Sequence, residues 1–169
     1  MKGMTKMIQV KYASALCHDG YYCGKVVRNI VPLSNGQFYV MELQDMECSY
    51  CEDGHGHIEW NVYQCVVDRT DDKTIYDVDC HTITGRAPME TYHAAMSSLK
   101  AILSFLENEY EVEWKDCDTC FHCISADWAD ERRKKVYSKV LGKMKDWEYD
   151  SDLDCFQTVV VENCKHEAA

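Results

Sequence analysis

Cys117-Asp-Thr-Cys120-Phe-His-Cys123 gathers three thiols and the imidazole of His122 within seven residues. Cys48-Ser-Tyr-Cys51 is a second Cys-x2-Cys pair, with His55 and His57 close behind it. Zinc takes four tetrahedral thiolate or imidazole donors, and two cysteines separated by two residues can hold one ion from a tight turn. Two such pairs in polar sequence predict a structural zinc site with Cys48, Cys51, Cys117 and Cys120 as ligands. His55, His57, His122 and Cys123 stand as alternates. The 65 residues between Cys51 and Cys117 mean that a shared ion needs the fold to bring two loops together. Each loop also offers four donors of its own, so two separate ions remain open. The competing reading is a set of ordinary free thiols.

Other constellations predict other chemistry. His55-Gly-His57-Ile-Glu59 alternates donors as a strand does, and two imidazoles with a carboxylate can hold a catalytic metal with open positions. That makes a metal-dependent enzyme the first alternative function. In Cys117-x2-Cys120-x2-Cys123 the fourth cysteine of an iron–sulfur motif would fall at Asp127, which argues against a cluster. Cys17-His18 and Cys80-His81 are sequence neighbours, and neighbours on a strand face opposite ways, so neither is a ready dyad. Asp150-x-Asp152-x-Asp154 starts like a calcium loop, but Cys155 replaces the sixth-position glycine and Val161 the terminal glutamate. It reads as an acidic edge. No phosphate-cradling glycine loop, dinucleotide fingerprint or nucleophile elbow is present.

Charge narrows the partners. The 169 residues carry a net charge of −11, which disfavours binding to nucleic acid or an anionic membrane through the whole surface. Residues 131 to 145 hold seven of the eighteen basic residues and one acid, so that segment is +6 and the rest −17. Arg132, Arg133, Lys135, Lys139 and Lys143 could meet phosphates, which makes a nucleic-acid binder the second alternative. An acidic surface meeting a basic protein partner is the favoured expectation. No run reaches membrane-spanning length, and Gln9, Lys11 and Tyr12 interrupt any apolar leader. Eleven cysteines, an odd number, then fit a reducing cytoplasm and metal ligation better than disulfides. The function expected is a zinc-stabilised, cytoplasmic binding or regulatory protein of inhibitor or adaptor type.

The elements that must position these residues follow from periodicity. Strands are predicted over Met7–Ser14, Tyr21–Leu33, Gln37–Leu43, Ile58–Asp68 and Thr74–Thr84, with a hairpin turn at Ser34-Asn35-Gly36. In Ile58–Asp68 the alternation puts Ile58, Trp60, Val62, Gln64 and Val66 on one face and Glu59, Asn61, Tyr63, Cys65 and Val67 on the other. Glu47–His57 and Cys117–Cys123 read as loops. Pro88 opens a long helix to Tyr110 whose stripe is Tyr92, Ala95, Met96, Leu99, Ile102, Leu103, Leu106 and Tyr110. Glu109–Trp114 suggests a short strand. A second, charged helix starts after a cap at Ser125 or Asp127 and first stops at Gly142. Phe156–Val161 is a last strand. The fold class predicted is α+β: one domain, residues 1–169, mostly β over 1–84, with an antiparallel sheet of five to six strands on one long helix.

Overall fold

The computed structural model describes residues 8–17, 20–50, 56–77, 88–110, 119–127 and 131–163. Among them are seven strands and three helices: β1 (Ile8–Cys17), β2 (Gly20–Pro32), β3 (Phe38–Tyr50), β4 (Gly56–Val67), α1 (Asp72–Asp77), α2 (Pro88–Asn108), β5 (Thr119–Ala126), α3 (Glu131–Leu141), β6 (Glu148–Asp150) and β7 (Cys155–Asn163). The class is α+β, with one sheet ordered β1-β2-β3-β4-β5-β7-β6. The sheet is larger than five or six strands and is not wholly antiparallel, because β4 and β5 run parallel. Parallel neighbours need a long crossover connection, and residues 68–118, which contain α2, supply it. The chain forms two compact units, Met1–Gln44 with Tyr63–Ile102, and Asp45–Val62 with Leu103–Ala169.

In the first unit β1, β2 and β3 pair antiparallel. Leu33 and Gln37 close the β2–β3 turn, where Leu33 N donates to Gln37 O at 2.8 Å and Gly36 N to Leu33 O at 3.2 Å. Gly36 has φ +86°, so the turn relies on glycine at one left-handed position, and Asn35 keeps a negative φ. Val26, Val27, Arg28, Asn29 and Ile30 are all buried. Five consecutive buried residues on a strand mean that both sheet faces are covered. On one face lie Val26, Ile30, Val40, Cys65 and Val67 with Ile75 and Tyr76 of α1. On the other, Asn29 Nδ2 donates to Ser98 Oγ of α2 at 2.7 Å. Each of these buried aliphatic side chains contributes about 1.5–3 kcal/mol.

Several local expectations change. Thr74–Thr84 is β-rich in composition, yet Asp72–Asp77 is helical. Asp71 caps it, its carboxylate accepting from Thr74 N at 2.9 Å and Thr74 Oγ1 at 2.8 Å. The helix termini's unpaired N–H groups are what such a cap satisfies. Residues 78–84 lie outside the described residues. Glu47–Tyr50 and Gly56–His57 continue β3 and β4 rather than forming a loop, and Thr119–Cys123 opens β5. Ser125 lies within β5, so it caps no helix. Glu109 and Tyr110 donate to Phe105 O, closing α2; the rest of the suggested short strand, residues 111–114, lies outside the described residues. Along α2 the buried positions are Ala94, Ser98, Leu99, Ile102 and Leu106, while Tyr92 is 39% exposed. The stripe is therefore rotated toward Ser98, whose hydroxyl has a buried partner.

β4 also changes phase. Ile58 and Trp60, from one face, are buried in the second unit, whereas Cys65 and Val67, from the other, are buried in the first. Different neighbours cover the two stretches: Tyr110 and His122 lie against Trp60, and α1 lies against Cys65. Gly142 follows α3, as its position after the last apolar residues predicts. A Cβ there would sit 2.4 Å from Ser138 O, so only glycine fits. β6, absent from the sequence reading, pairs with β7 through Tyr149 and Phe156. No described helix is long and apolar enough to cross a membrane.

Candidate functional site

The second unit is built on β4, β5, β7 and β6. Its register joins Asn61 to Ser125, Ser125 to Gln157 and Gln157 to Glu148 in one row. A second row joins Glu59, Cys123 and Val159. Strand alternation puts both rows on one face. Ile58, Trp60, His122, Ile124, Ala126, Phe156 and Thr158 take the other, and all seven are buried. The first face is more open: Glu59 and Glu148 are exposed, Val159 is 53% exposed, Asn61, Cys123, Ser125 and Gln157 are half-buried, and Cys155 at its end is buried.

The buried face explains itself. His122 is 0% exposed, and its Nδ1 accepts a 3.0 Å hydrogen bond from Trp60 Nε1. The two rings stack at 6.2 Å, and Tyr110 meets both edge-on at 5.7 and 5.4 Å. Thr158 Oγ1 donates to Asp146 O. Polar groups here have partners inside the fold, as burial demands.

Beside β6 and β7 lies a groove of about 660 Å³, lined by Lys145, Asp146, Glu148, Tyr149, Asp150, Ser151, Gln157, Thr158 and Val159. That volume is in the range of about 300–1,000 Å³ typical of ligand clefts. Its three carboxylates face one ammonium. The turn after β6 is fixed by side chains: Asp150 Oδ1 accepts from Asp152 N at 2.9 Å and Leu153 N at 3.1 Å. Asp154 adopts φ 52° and accepts from Lys134 Nζ at 2.9 Å and from the Tyr149 hydroxyl. Those bonds raise the Lys134 ammonium and the Tyr149 hydroxyl above their ordinary values. Burial first, then Asp150, Asp127 and Asp154, push the Cys155 thiol up, which makes it a poor nucleophile.

The first unit holds a buried polar cluster. Arg28, 1% exposed, donates from Nε to Glu42 Oε2 at 2.7 Å, from Nη1 to Asp72 Oδ1 at 2.8 Å and from Nη2 to the Tyr76 hydroxyl at 3.1 Å. Tyr76 donates in turn to Glu42, and so does Gln44. Burial works against the charged guanidinium, but Glu42 and Asp72 outweigh it and hold Arg28 above its ordinary value. Burial would likewise raise Asp72, yet Lys11 and Arg28 hold its carboxyl below the usual range. Burial, and Glu42 after it, push the Tyr76 hydroxyl up and the Cys65 thiol up to about 12. Every member is partnered, so the cluster is a satisfied structural network.

The predicted metal residues are placed unequally. Cys51, His55 and Cys117 lie outside the described residues; Cys48, His57 and Cys120 are placed by their backbone alone, on β3, β4 and β5. Cys120 stands beside Gly56, and His57 beside Phe121. Because β4 and β5 are parallel, the strand starts that follow the two cysteine-bearing segments lie at the same end of the sheet. His122 and Cys123 are on opposite faces, so these two alternates cannot share one ion from this strand. Glu59 is exposed. Among the described residues, no three His, Cys, Asp or Glu side chains gather to hold a metal ion. Lys135 and Lys139 on α3 and Lys143 in the turn after it are exposed, and Arg132 and Arg133 are placed by backbone only.

The open-face residues Asn61, Ser125, Gln157 and Glu148 are the ones sequence reasoning missed. Glu59 and Asn61 are legible as sharing one face of an alternating strand, but their neighbours are set by pairings across distant segments. Compared with family models, with curated proteins and with solved structures, the chain matches none of them.

Proposed function

We propose that this chain is a zinc-stabilised binding protein that docks another protein on the open face of β4, β5, β7 and β6. The observation that carries the reading is that face itself: two rows of hydrogen-bonding and charged side chains, exposed or half-exposed, with a groove beside β6 and β7. Glu59, Asp146, Glu148 and Asp150 give it a negative field that favours a basic partner and repels phosphates. The long helix α2 backs the β-strands in this reading, as Ser98 does against Asn29.

Zinc would tie residues 48–57 to residues 117–123. The parallel register of Gly56 with Cys120 supports this, because it sets both strand starts side by side. Metal binding there would add folding free energy. Two measurements test the proposal. Elemental analysis of purified protein should return zinc, and chelation should lower the unfolding midpoint; metal-free protein of unchanged stability removes the zinc. In a ¹⁵N NMR titration, a capped peptide of alternating arginine and threonine should shift amides of β4, β5, β7 and β6, and its glutamate–threonine counterpart should not. Equal response to both peptides, or none on these strands, removes the docking face.

A further inference from the structure

We propose that Asn35 is a site of spontaneous covalent modification, at which the backbone nitrogen of Gly36 expels the side-chain amide as ammonia. This goes beyond the docking face and concerns the first unit alone. Asn35 and Gly36 are exposed at the tip of the β2–β3 turn. Gln37 N donates to Asn35 Oδ1 at 3.0 Å, and Asn35 Nδ2 donates to Gln37 Oε1 at 3.0 Å. The first of these bonds closes a ring that contains both Asn35 Cγ and Gly36 N, so the side-chain carbonyl is folded back over the next peptide unit. Gly36 carries no side chain beside its nitrogen, and among the described residues nothing but its chain neighbours lies within 4 Å of where a Cβ would stand. The other four asparagines lack this arrangement, and none precedes a glycine. Asn29 is buried and bonded to Ser98 Oγ, Asn61 and Asn163 lie in β4 and β7, and Asn108 donates to Ser104 O at the end of α2.

The reaction consumes only water. Hydroxide takes the Gly36 N–H proton, whose bond to Leu33 O is 3.2 Å, at the long end of the usual range. The freed nitrogen attacks Asn35 Cγ, and the charge that develops on Oδ1 is met by the Gln37 N–H already bonded there. The Cγ–Nδ2 bond then breaks, the departing nitrogen takes a proton from water and leaves as ammonia, and hydroxide is restored. A cyclic imide remains. Water opens it at Cγ to give aspartate, or at the Asn35 backbone carbonyl to give isoaspartate, in which the main chain runs through the former side chain. Either product adds a negative charge to a chain already at −11 and removes the donor that Gln37 Oε1 accepts. The new carboxylate stands between Ser34 and Gln37, which already bind the carboxylates of Glu90 and Asp68.

Incubating the whole protein at mildly alkaline pH, then mapping its peptides by chromatography and mass spectrometry, tests this. The peptide that spans Asn35 should gain the mass difference between amide and acid and split into aspartate and isoaspartate forms. It should do so at least about tenfold faster than any other asparagine peptide, a barrier lower by about 1.4 kcal/mol. The folded chain should react at least as fast as the same chain in guanidinium chloride, because the turn holds the reacting groups together in advance. Gly36→Ala should slow the loss by about tenfold or more, since the new methyl crowds the attacking nitrogen. That comparison is made in denaturant as well as in buffer, so a folding defect does not imitate the result. A folded chain slower than the unfolded one would mean that the turn protects Asn35, and would overturn the proposal. Aspartate without isoaspartate, the mark of direct hydrolysis by water, would overturn it too, as would an unchanged rate in Gly36→Ala.

Discussion

Replacing Arg28 with Met would measure what the charged cluster beneath α1 contributes. Met keeps the length of the arginine stem and removes all three donors. Glu42, 0% exposed, would retain two neutral donors, the Tyr76 hydroxyl and the Gln44 amide, and no cation. Removing one partner of a buried ion pair costs about 3–5 kcal/mol, because the remaining charge stays desolvated and uncompensated. Asp72 adds little to this: it is partly exposed and keeps Lys11 at 2.5 Å. Adding Glu42→Gln removes the stranded charge and leaves an acceptor for Tyr76. The double variant should lose only about 1–3 kcal/mol, the scale of an imperfectly paired buried polar group. Urea unfolding followed by circular dichroism should therefore place the double variant about 2 kcal/mol above the single one. Salt near 1 M should not close the gap, since a buried pair is weakly screened. A loss below about 1 kcal/mol in Arg28→Met, the value of an exposed pair, would refute the reasoning. So would a double variant less stable than the single.

Three further outcomes follow from the same structure. Cys65 holds its proton in the folded state up to about pH 12 against an ordinary 9.0, so the unfolded state releases it first and stability falls as pH rises through that window. The slope is about 1.4 kcal/mol per pH unit, and urea midpoints for Cys65→Ala should fall less steeply with pH; an unchanged slope would rule out Cys65 as the source. Gly142→Ala should cost about 1–3 kcal/mol, because the new Cβ meets the Ser138 carbonyl at 2.4 Å. Gly36→Ala, with nothing within 4 Å and only φ +86° against it, should cost about 1–2 kcal/mol; a harmless Gly142→Ala would deny the close approach. His122→Leu should lose at least about 1–3 kcal/mol by orphaning the buried Trp60 N–H, and thermal melting that matches the parent would show the bond to be dispensable.

What the sequence made legible was local. Pro88 and the three-to-four-residue apolar steps announce α2, and Asn35-Gly36 between apolar runs announces the β2–β3 turn, because each signal lies within a few residues of its effect. Thr74-Ile75-Tyr76 reads as strand by propensity, but one upstream carboxylate, Asp71, offers Thr74 a cap and tips the segment to helix. Polar core positions were the hardest to see. Ser98, His122 and Thr158 have the composition of surface residues, and each is buried only because a partner far along the chain, Asn29, Trp60 or the Asp146 carbonyl, completes its hydrogen bond. The cysteine stretch hid β5 for the same reason: its apolar residues are too sparse to suggest a strand until β4 and β7 flank it.

The two units put their sheet faces to different use, and that difference is what favours the proposed binding surface. Around β2 both faces are covered, which is why charged Arg28 and apolar Val27 are equally buried and why the polar groups there must pair with one another. Their chemistry is consumed in holding the fold. Around β5 the face of Trp60, His122 and Ile124 is fully covered, and among the described residues the reverse face is more open. That reverse carries carboxylate, amide, hydroxyl and thiol groups in register, at a position where a folded core has no use for them. In the proposed reading, a partner that supplies positive charge would cover that face of the second unit.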